Sequence, residues 1–67
     1  MSEVKTVEPS SVVAMSEVVA TMHLTELGVP WRITCRDGAH YAVTRDHVPE
    51  RLNLIILNGI VNDAYRG

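Results

Sequence analysis

Apolar residues in the first half of the chain recur at the spacing of a helix. Successive members lie three or four positions apart, which puts them on one helical face. The stripe consists of Val12, Met15, Val19 and Met22, and it is widened by Val18, Leu24 and Leu27. Residues 10–11 are serines, which are favourable N-cap residues. Gly28, followed closely by Pro30, is typical of a helix end, so the pattern predicts one amphipathic helix from the serine pair to Gly28.

From Trp31 onward the apolar period changes to two, which is the period of a β-strand. Trp31, Ile33 and Cys35 alternate with polar residues and predict a half-buried strand. Asp37-Gly38 is a turn signal, and residues 39–44 are extended but weakly patterned.

The strongest strand pattern covers residues 51–57. Leu52, Leu54 and Ile56 share one face of this segment. Asn58-Gly59 follows directly and is a strong signal for a two-residue hairpin, which predicts a returning strand over residues 60–65.

These elements predict an α+β fold. We expect one N-terminal helix packed on a small three-stranded sheet, with a long exposed loop before the second strand. Residues 1–8 are polar and aperiodic and are expected to form a flexible N-terminal arm. Residues 9–67 are expected to form a single domain, because a chain of 67 residues is too short for two.

Charge and hydropathy narrow the choice of partners. The net charge is −2, and Lys and Arg occur singly, so we expect no nucleic-acid partner. No apolar run exceeds four residues, the length of the run over residues 54–57, so we expect no membrane span. The N-terminus lacks the apolar segment of a secretory signal, which favours a cytoplasmic location, or a secreted or periplasmic one if a signal was removed. Cys35 is the single cysteine and is expected to be a small buried hydrophobe.

Catalytic, cofactor and metal sites are not indicated. The candidate ligands have none of the spacings of zinc sites; they are His23, His40, His47 and Cys35. The four glycines do not form a phosphate-binding loop, and no serine or cysteine lies in a nucleophile motif. We therefore expect no enzymatic activity, no cofactor and no metal.

The charged segment before the strongest strand is the main functional candidate. Arg51 and Asn53 lie two apart in a strand, so they share the face opposite to the apolar one. Thr44 and Asp46 are also two apart, and an Arg51 side chain beneath them could hold the loop by charge-assisted hydrogen bonds. Arg45 lies between them and is expected to point outward, where a partner could bind it.

Pro49 stiffens the exit of this segment by fixing one φ angle and favouring an extended Val48. A rigid, extended, exposed segment can enter a protease cleft as a substrate does, with little ordering entropy left to lose. An arginine in the primary pocket suits a trypsin-like enzyme, which has a carboxylate at the pocket floor. These residues predict a serine-protease inhibitor that presents Thr44-Arg45-Asp46.

Residues 43–54, Val-Thr-Arg-Asp-His-Val-Pro-Glu-Arg-Leu-Asn-Leu, resemble the loop and strand of the potato inhibitor I family of serine-protease inhibitors, and its bacterial branch most closely. The resemblance implies one helix on a small sheet with a long exposed loop. It implies that Arg45–Asp46 is the reactive bond. The loop-supporting residues that it implies are Thr44, Asp46, Arg51, Asn53 and Gly67. Pro49 joins them because it stiffens the loop. His47 and Val48 depart from the family pattern, which usually has an aromatic residue and an arginine there.

Other functions remain open on the same fold. One alternative is a non-inhibitory protein-interaction module or a homo-oligomer, with a homodimer as the simplest form. Ile55 and Leu57 motivate it, since they are apolar and lie on the Arg51 side of the strand. A further alternative is a small regulatory subunit or phage-type binding protein for an intracellular partner.

Overall fold

The computed structural model describes residues 7–44 and 46–67. A short 3₁₀ turn, Pro9–Val12, comes first, and one α-helix and four strands follow it. They are α1 (Glu17–Glu26), β1 (Trp31–Arg36), β2 (Ala39–His40), β3 (Leu52–Leu57) and β4 (Ile60–Arg66).

The α+β fold class is confirmed: one helix lies with one mixed sheet. The strand order is β2-β1-β3-β4, with β1 parallel to β3 and the other neighbours antiparallel. The sheet has four strands rather than the expected three. The additional strand is the two-residue β2, which returns from the Asp37-Gly38 turn. Both turn residues have positive φ angles, 51° and 83°, which suits a two-residue hairpin.

The predicted start of the helix at Ser10 and Ser11 was wrong. α1 begins at Glu17, and Ser16 is its N-cap, with the side-chain oxygen accepting a hydrogen bond from the Val19 amide at 3.2 Å. The residues between the 3₁₀ turn and α1 pair with β4 instead, through Ala14 N to Val61 O and Val61 N to Met15 O, both 2.8 Å. Pairing with a distant strand therefore replaces the helical hydrogen bonds that the local pattern favoured.

The predicted apolar face of the helix was also wrong in part. Val18, Val19 and Met22 are 66%, 56% and 58% exposed. Ala20 and Leu24, one turn apart, are the fully buried residues of α1. Because the segment before Ser16 is tied to β4, the helix leaves the sheet with its Ala20 side inward.

The predicted end of the helix was correct. Gly28 has a φ of 74°, and the Val29 amide donates to the Leu24 carbonyl at 2.9 Å, which is the C-terminal pattern that glycine permits. At the other end of α1, Glu17 forms an ion pair with Arg36 at 2.5 Å and so links the helix start to the end of β1.

The core lies between α1, the 3₁₀ turn and one face of the sheet. The inward side chains of β3 are almost fully buried, as expected. The core consists of Val12, Ala20, Leu24, Val29, Leu52, Leu54, Ile56 and Val61. Because Val12 and Val61 come from opposite parts of the chain, this core fixes β4 and the 3₁₀ turn relative to the helix.

The Asn58-Gly59 hairpin was predicted correctly, with Leu57 opposite Ile60. The Asn58 amide donates to Asp37 Oδ1 at 2.7 Å, so the two hairpin turns are connected. The expected alternation of β1 is interrupted by a bulge between Ile33 and Cys35. Cys35 is buried, as expected, but it lies opposite Ile55 and thus on the face away from the helix.

Residues 1–6 of the expected arm lie outside the described residues. Val7, which follows them, packs against the core, and its carbonyl accepts a hydrogen bond from Arg66 at 3.3 Å. Glu8 forms a long ion pair with Arg66 at 3.8 Å. In the described part of the chain, no helix has the length and apolar character needed to cross a membrane.

Candidate functional site

The loop over residues 41–51 connects β2 to β3 and carries the candidate site. Arg45 lies outside the described residues. Thr44 and Asp46, which flank it, are both exposed. The first part of the loop is joined to the sheet through the Tyr41 amide, which donates to the Thr34 carbonyl at 3.0 Å. Residues 44 and 46 are held by side chains from the sheet and from the residue just before β3.

Thr44 and Asp46 contact each other directly, because the Thr44 hydroxyl donates to Asp46 Oδ1. This hydrogen bond is the main reason why the pKa of Asp46 is lowered from its ordinary value of 3.8. Attraction to Arg51 lowers the pKa further, and desolvation opposes both effects. Asp46 is therefore held as a carboxylate, the form that accepts these hydrogen bonds.

Arg51 joins the loop to the C-terminal residue. Its Nη1 lies 3.4 Å from Asp46 Oδ2, and its Nη2 donates to the Asp46 carbonyl at 3.0 Å. The same guanidinium donates to the Gly67 carbonyl from Nε at 3.1 Å and from Nη2 at 2.7 Å. The Arg51 side chain is only 13% exposed. A largely buried guanidinium with several acceptors is a rigid support, since its hydrogen bonds are charge-assisted.

Asn53 and Arg32 form a second support. Arg32 Nε donates to Asn53 Oδ1 at 2.5 Å, and Arg32 Nη1 donates to the Thr44 hydroxyl at 3.2 Å. Asn53 Nδ2 donates to the Tyr65 carbonyl at 3.3 Å. We expected Asn53 to reach the loop itself and Arg51 to contact the Thr44 hydroxyl. Arg32 is the residue that makes the contact with Thr44, and Asn53 holds Arg32.

Sequence reasoning missed Arg32. The parallel register places Arg32 beside Asn53, and both are on the face of the sheet that carries the loop. The signal available in the sequence was its place between Trp31 and Ile33, which puts it on the polar face of β1. That pattern does not say which strand lies beside β1, so it could not bring Arg32 to Asn53.

Gly67 closes the site from below. Its amide donates to the Arg51 carbonyl at 3.0 Å, and its φ is 133°. A Cβ at this position would lie 3.6 Å from both Asn53 Nδ2 and His47 Nδ1, which is an ordinary van der Waals distance. Gly67 thus connects the exit of the loop to the support beneath it.

Pro49 is exposed and lies in a turn just before β3. The Arg51 amide donates to the Val48 carbonyl at 3.0 Å, which closes this turn. Pro49 fixes one φ angle inside it and so limits the directions from which the loop can enter β3.

Other parts of the surface offer less chemistry. Among the described residues, no group of three or more His, Cys, Asp or Glu side chains could hold a metal ion. A shallow groove of about 260 Å³ lies on α1 and is lined by Thr21, Met22, Thr25 and Glu26. Trp31 Nε1 donates to the Thr25 hydroxyl at 3.0 Å, beside this groove.

Comparison with protein-family models, with curated proteins and with solved structures finds no match to this chain.

Proposed function

We propose that this protein is a serine-protease inhibitor that presents Thr44-Arg45-Asp46 to a trypsin-like enzyme. The observation that supports it is the double support of one exposed loop. Thr44 and Asp46 flank Arg45, are joined to each other, and are held by Arg32 and Arg51 from the sheet below. A loop held on both flanks in this way has little ordering entropy left to lose when it binds.

The same contacts account for slow hydrolysis. Cleavage between Arg45 and Asp46 leaves an acyl-enzyme on the Arg45 carbonyl and a new amine on Asp46. Arg51 holds both the carboxylate and the carbonyl of Asp46, and it is itself held by Gly67. The amine therefore stays beside the acyl group and can re-form the peptide bond, so the enzyme remains occupied.

The target class follows from the side chain at the cleaved bond. Arg45 carries a positive charge that pairs with a carboxylate at the floor of a trypsin-like pocket. The loop supports determine how rigidly this residue is presented, while the side chain itself determines which enzyme accepts it.

A panel of trypsin-like and subtilisin-like proteases tests the proposal. We expect inhibition of a trypsin-like enzyme, and we expect Arg45→Ala to weaken it by roughly 100-fold, as loss of a buried ion pair in a primary pocket does. Arg66→Ala is the matched control, because Arg66 contacts Val7 and Glu8 rather than the loop. Absence of inhibition at micromolar concentration by the unchanged protein would refute the function.

A second candidate function is self-association as a non-inhibitory interaction module. It is favoured by the exposure of Val18, Val19 and Met22 on one side of α1. The available strip is small, since a helix of ten residues is about 15 Å long and its face about 10 Å wide. Stable dimers bury roughly 800 Å² on each partner, so this face alone supports weak association at most.

A further inference from the structure

Arg32 belongs to β1, a strand that is separated from the loop in sequence by the whole of β2. We propose that Arg32 is a positioning residue of the loop, holding the Thr44 side of the Arg45–Asp46 bond while Arg51 holds the Asp46 side. The effect of this arrangement on inhibition rests on the proposed function. The arrangement itself rests on contacts within the free protein.

Asn53 acts as the anchor that orients Arg32. It is 1% exposed, and both ends of its amide are used, with Oδ1 accepting from Arg32 and Nδ2 donating to Tyr65. An amide fixed in this way holds Arg32 Nε in one place. Because the guanidinium is planar and rigid, fixing Nε also fixes the direction of Nη1, which donates to Thr44.

The orientation of the Thr44 hydroxyl is then fixed by its two hydrogen bonds. A hydroxyl has one proton to donate and lone pairs to accept with. Arg32 occupies a lone pair of Thr44, and the hydroxyl donates its proton to Asp46. Without Arg32, the hydroxyl loses the donor that fixes it to β1, and its remaining hydrogen-bonded connection to the sheet runs through Asp46 and Arg51.

The two arginines therefore have different effects on inhibition. Arg32 limits the freedom of the segment before the reactive bond, so its loss raises the ordering cost of binding. Arg51 holds the segment that carries the new amine after cleavage, so its loss also lets the amine leave. We expect Arg32→Ala to weaken binding by roughly tenfold, the scale of one charge-assisted hydrogen bond. We expect Arg51→Ala, in addition, to increase the net hydrolysis of the loop.

The first measurement is made on the free protein by ¹⁵N relaxation. The amide order parameter of Thr44 should fall from about 0.85 toward 0.6 or lower in Arg32→Ala. The order parameters of β3 should stay unchanged, and Arg66→Ala should leave Thr44 unchanged. If Arg32→Ala does not fold, Thr44→Val removes the contact with Arg32, together with the contact with Asp46, at an exposed position and should loosen residue 44 at least as much.

The second measurement separates binding from hydrolysis. The inhibition constant and the rate of loop cleavage are determined for Arg32→Ala, Arg51→Ala and the Arg66→Ala control. An unchanged order parameter at Thr44 overturns the role of Arg32 whether or not the protein inhibits a protease. Loosening of Thr44 without weaker binding, in a protein that does inhibit, overturns it as well. Lack of inhibition by the unchanged protein refutes the proposed function but leaves the relaxation result decisive for Arg32.

Discussion

At the scale of single residues, the Thr44 hydroxyl is where the two supports of the loop meet. It accepts from Arg32 and donates to Asp46, and Asp46 in turn accepts from Arg51. The carboxylate of Asp46 is needed for this chain of contacts, because a protonated carboxyl would lose its attraction to Arg51. The state of one exposed side chain therefore affects both flanks of Arg45.

Thr44→Val should raise the pKa of Asp46 back toward its ordinary value of 3.8, because the hydroxyl hydrogen bond is the largest cause of the lowered value. Titration of the Asp46 carboxyl carbon by NMR measures this change. Thr25→Val is the matched control, since Thr25 bonds Trp31 on the helix side and should leave Asp46 unaffected. An equal pKa in Thr44→Val and the unchanged protein would contradict the assignment.

The lowered pKa also sets a pH dependence. A carboxyl whose pKa is lower in the folded than in the unfolded state adds stability above its unfolded pKa and loses it as pH falls through the folded value. The support that Asp46 gives to the loop should thus be complete at neutral pH. It should be lost as the solution is acidified below pH 3.8. A lower ¹⁵N order parameter at Asp46 in that acidic range, with no change at pH 6, is the expected observation.

At the scale of secondary-structure elements, α1 has an unusually narrow buried face. Ala20 and Leu24 are fully buried, while Val18, Val19 and Met22 are more than half exposed. The helix is held at its start by the Ser16 cap and the Glu17–Arg36 ion pair, and at its end by Gly28. Its stability in the fold therefore depends on Leu24 far more than its apolar composition suggests.

Leu24→Ala should lower the free energy of unfolding by about 2–5 kcal/mol, the cost of a cavity at a fully buried leucine. Met22→Ala, at an exposed position on the same helix, should change it by less than about 0.5 kcal/mol. Urea denaturation of both variants measures the difference. Similar losses for the two would mean that the helix face is rotated from the one described.

The parts of the fold that could be predicted from sequence are those with a local cause. Gly28 and the Asn58-Gly59 turn were correct because positive φ angles favour these residue types wherever they occur. The start of α1 was wrong because residues 14–16 bond to β4, a partner that no local pattern can reveal. The two-residue spacing predicted that Thr44 and Asp46 lie above Arg51. It did not reveal Arg32, since the parallel pairing of β1 and β3 brings that residue to Asn53.

At the scale of the whole molecule, the loop is supported by every long strand of the sheet. β1 supplies Arg32, β3 supplies Asn53 and follows directly on Arg51, and the end of β4 leads to Gly67. The helix lies on the other face, over the core formed with Leu52, Leu54 and Ile56. The loop and the helix are thus on opposite faces, so a partner bound by the loop leaves α1 accessible.

Sedimentation equilibrium should find a monomer of 7.4 kDa, because the exposed strip of α1 is too small for a stable dimer. Met22→Glu, which places a charge in the middle of that strip, should not change the observed mass. A dimer that dissociates in Met22→Glu would instead favour the second candidate function.

The contacts between the beginning and the end of the chain have a consequence for biosynthesis. Ala14 and Met15 form hydrogen bonds with Val61 of β4, a strand that is synthesised after α1, β1, β2 and β3. Arg51 likewise acquires its acceptor only when Gly67 has been made. Until then Leu52, Leu54 and Ile56 lack one neighbouring strand, so the nascent chain presents an aggregation-prone surface. The domain therefore completes its fold only after β4 and Gly67 have been synthesised, and the loop acquires the Arg51–Gly67 contact at that step.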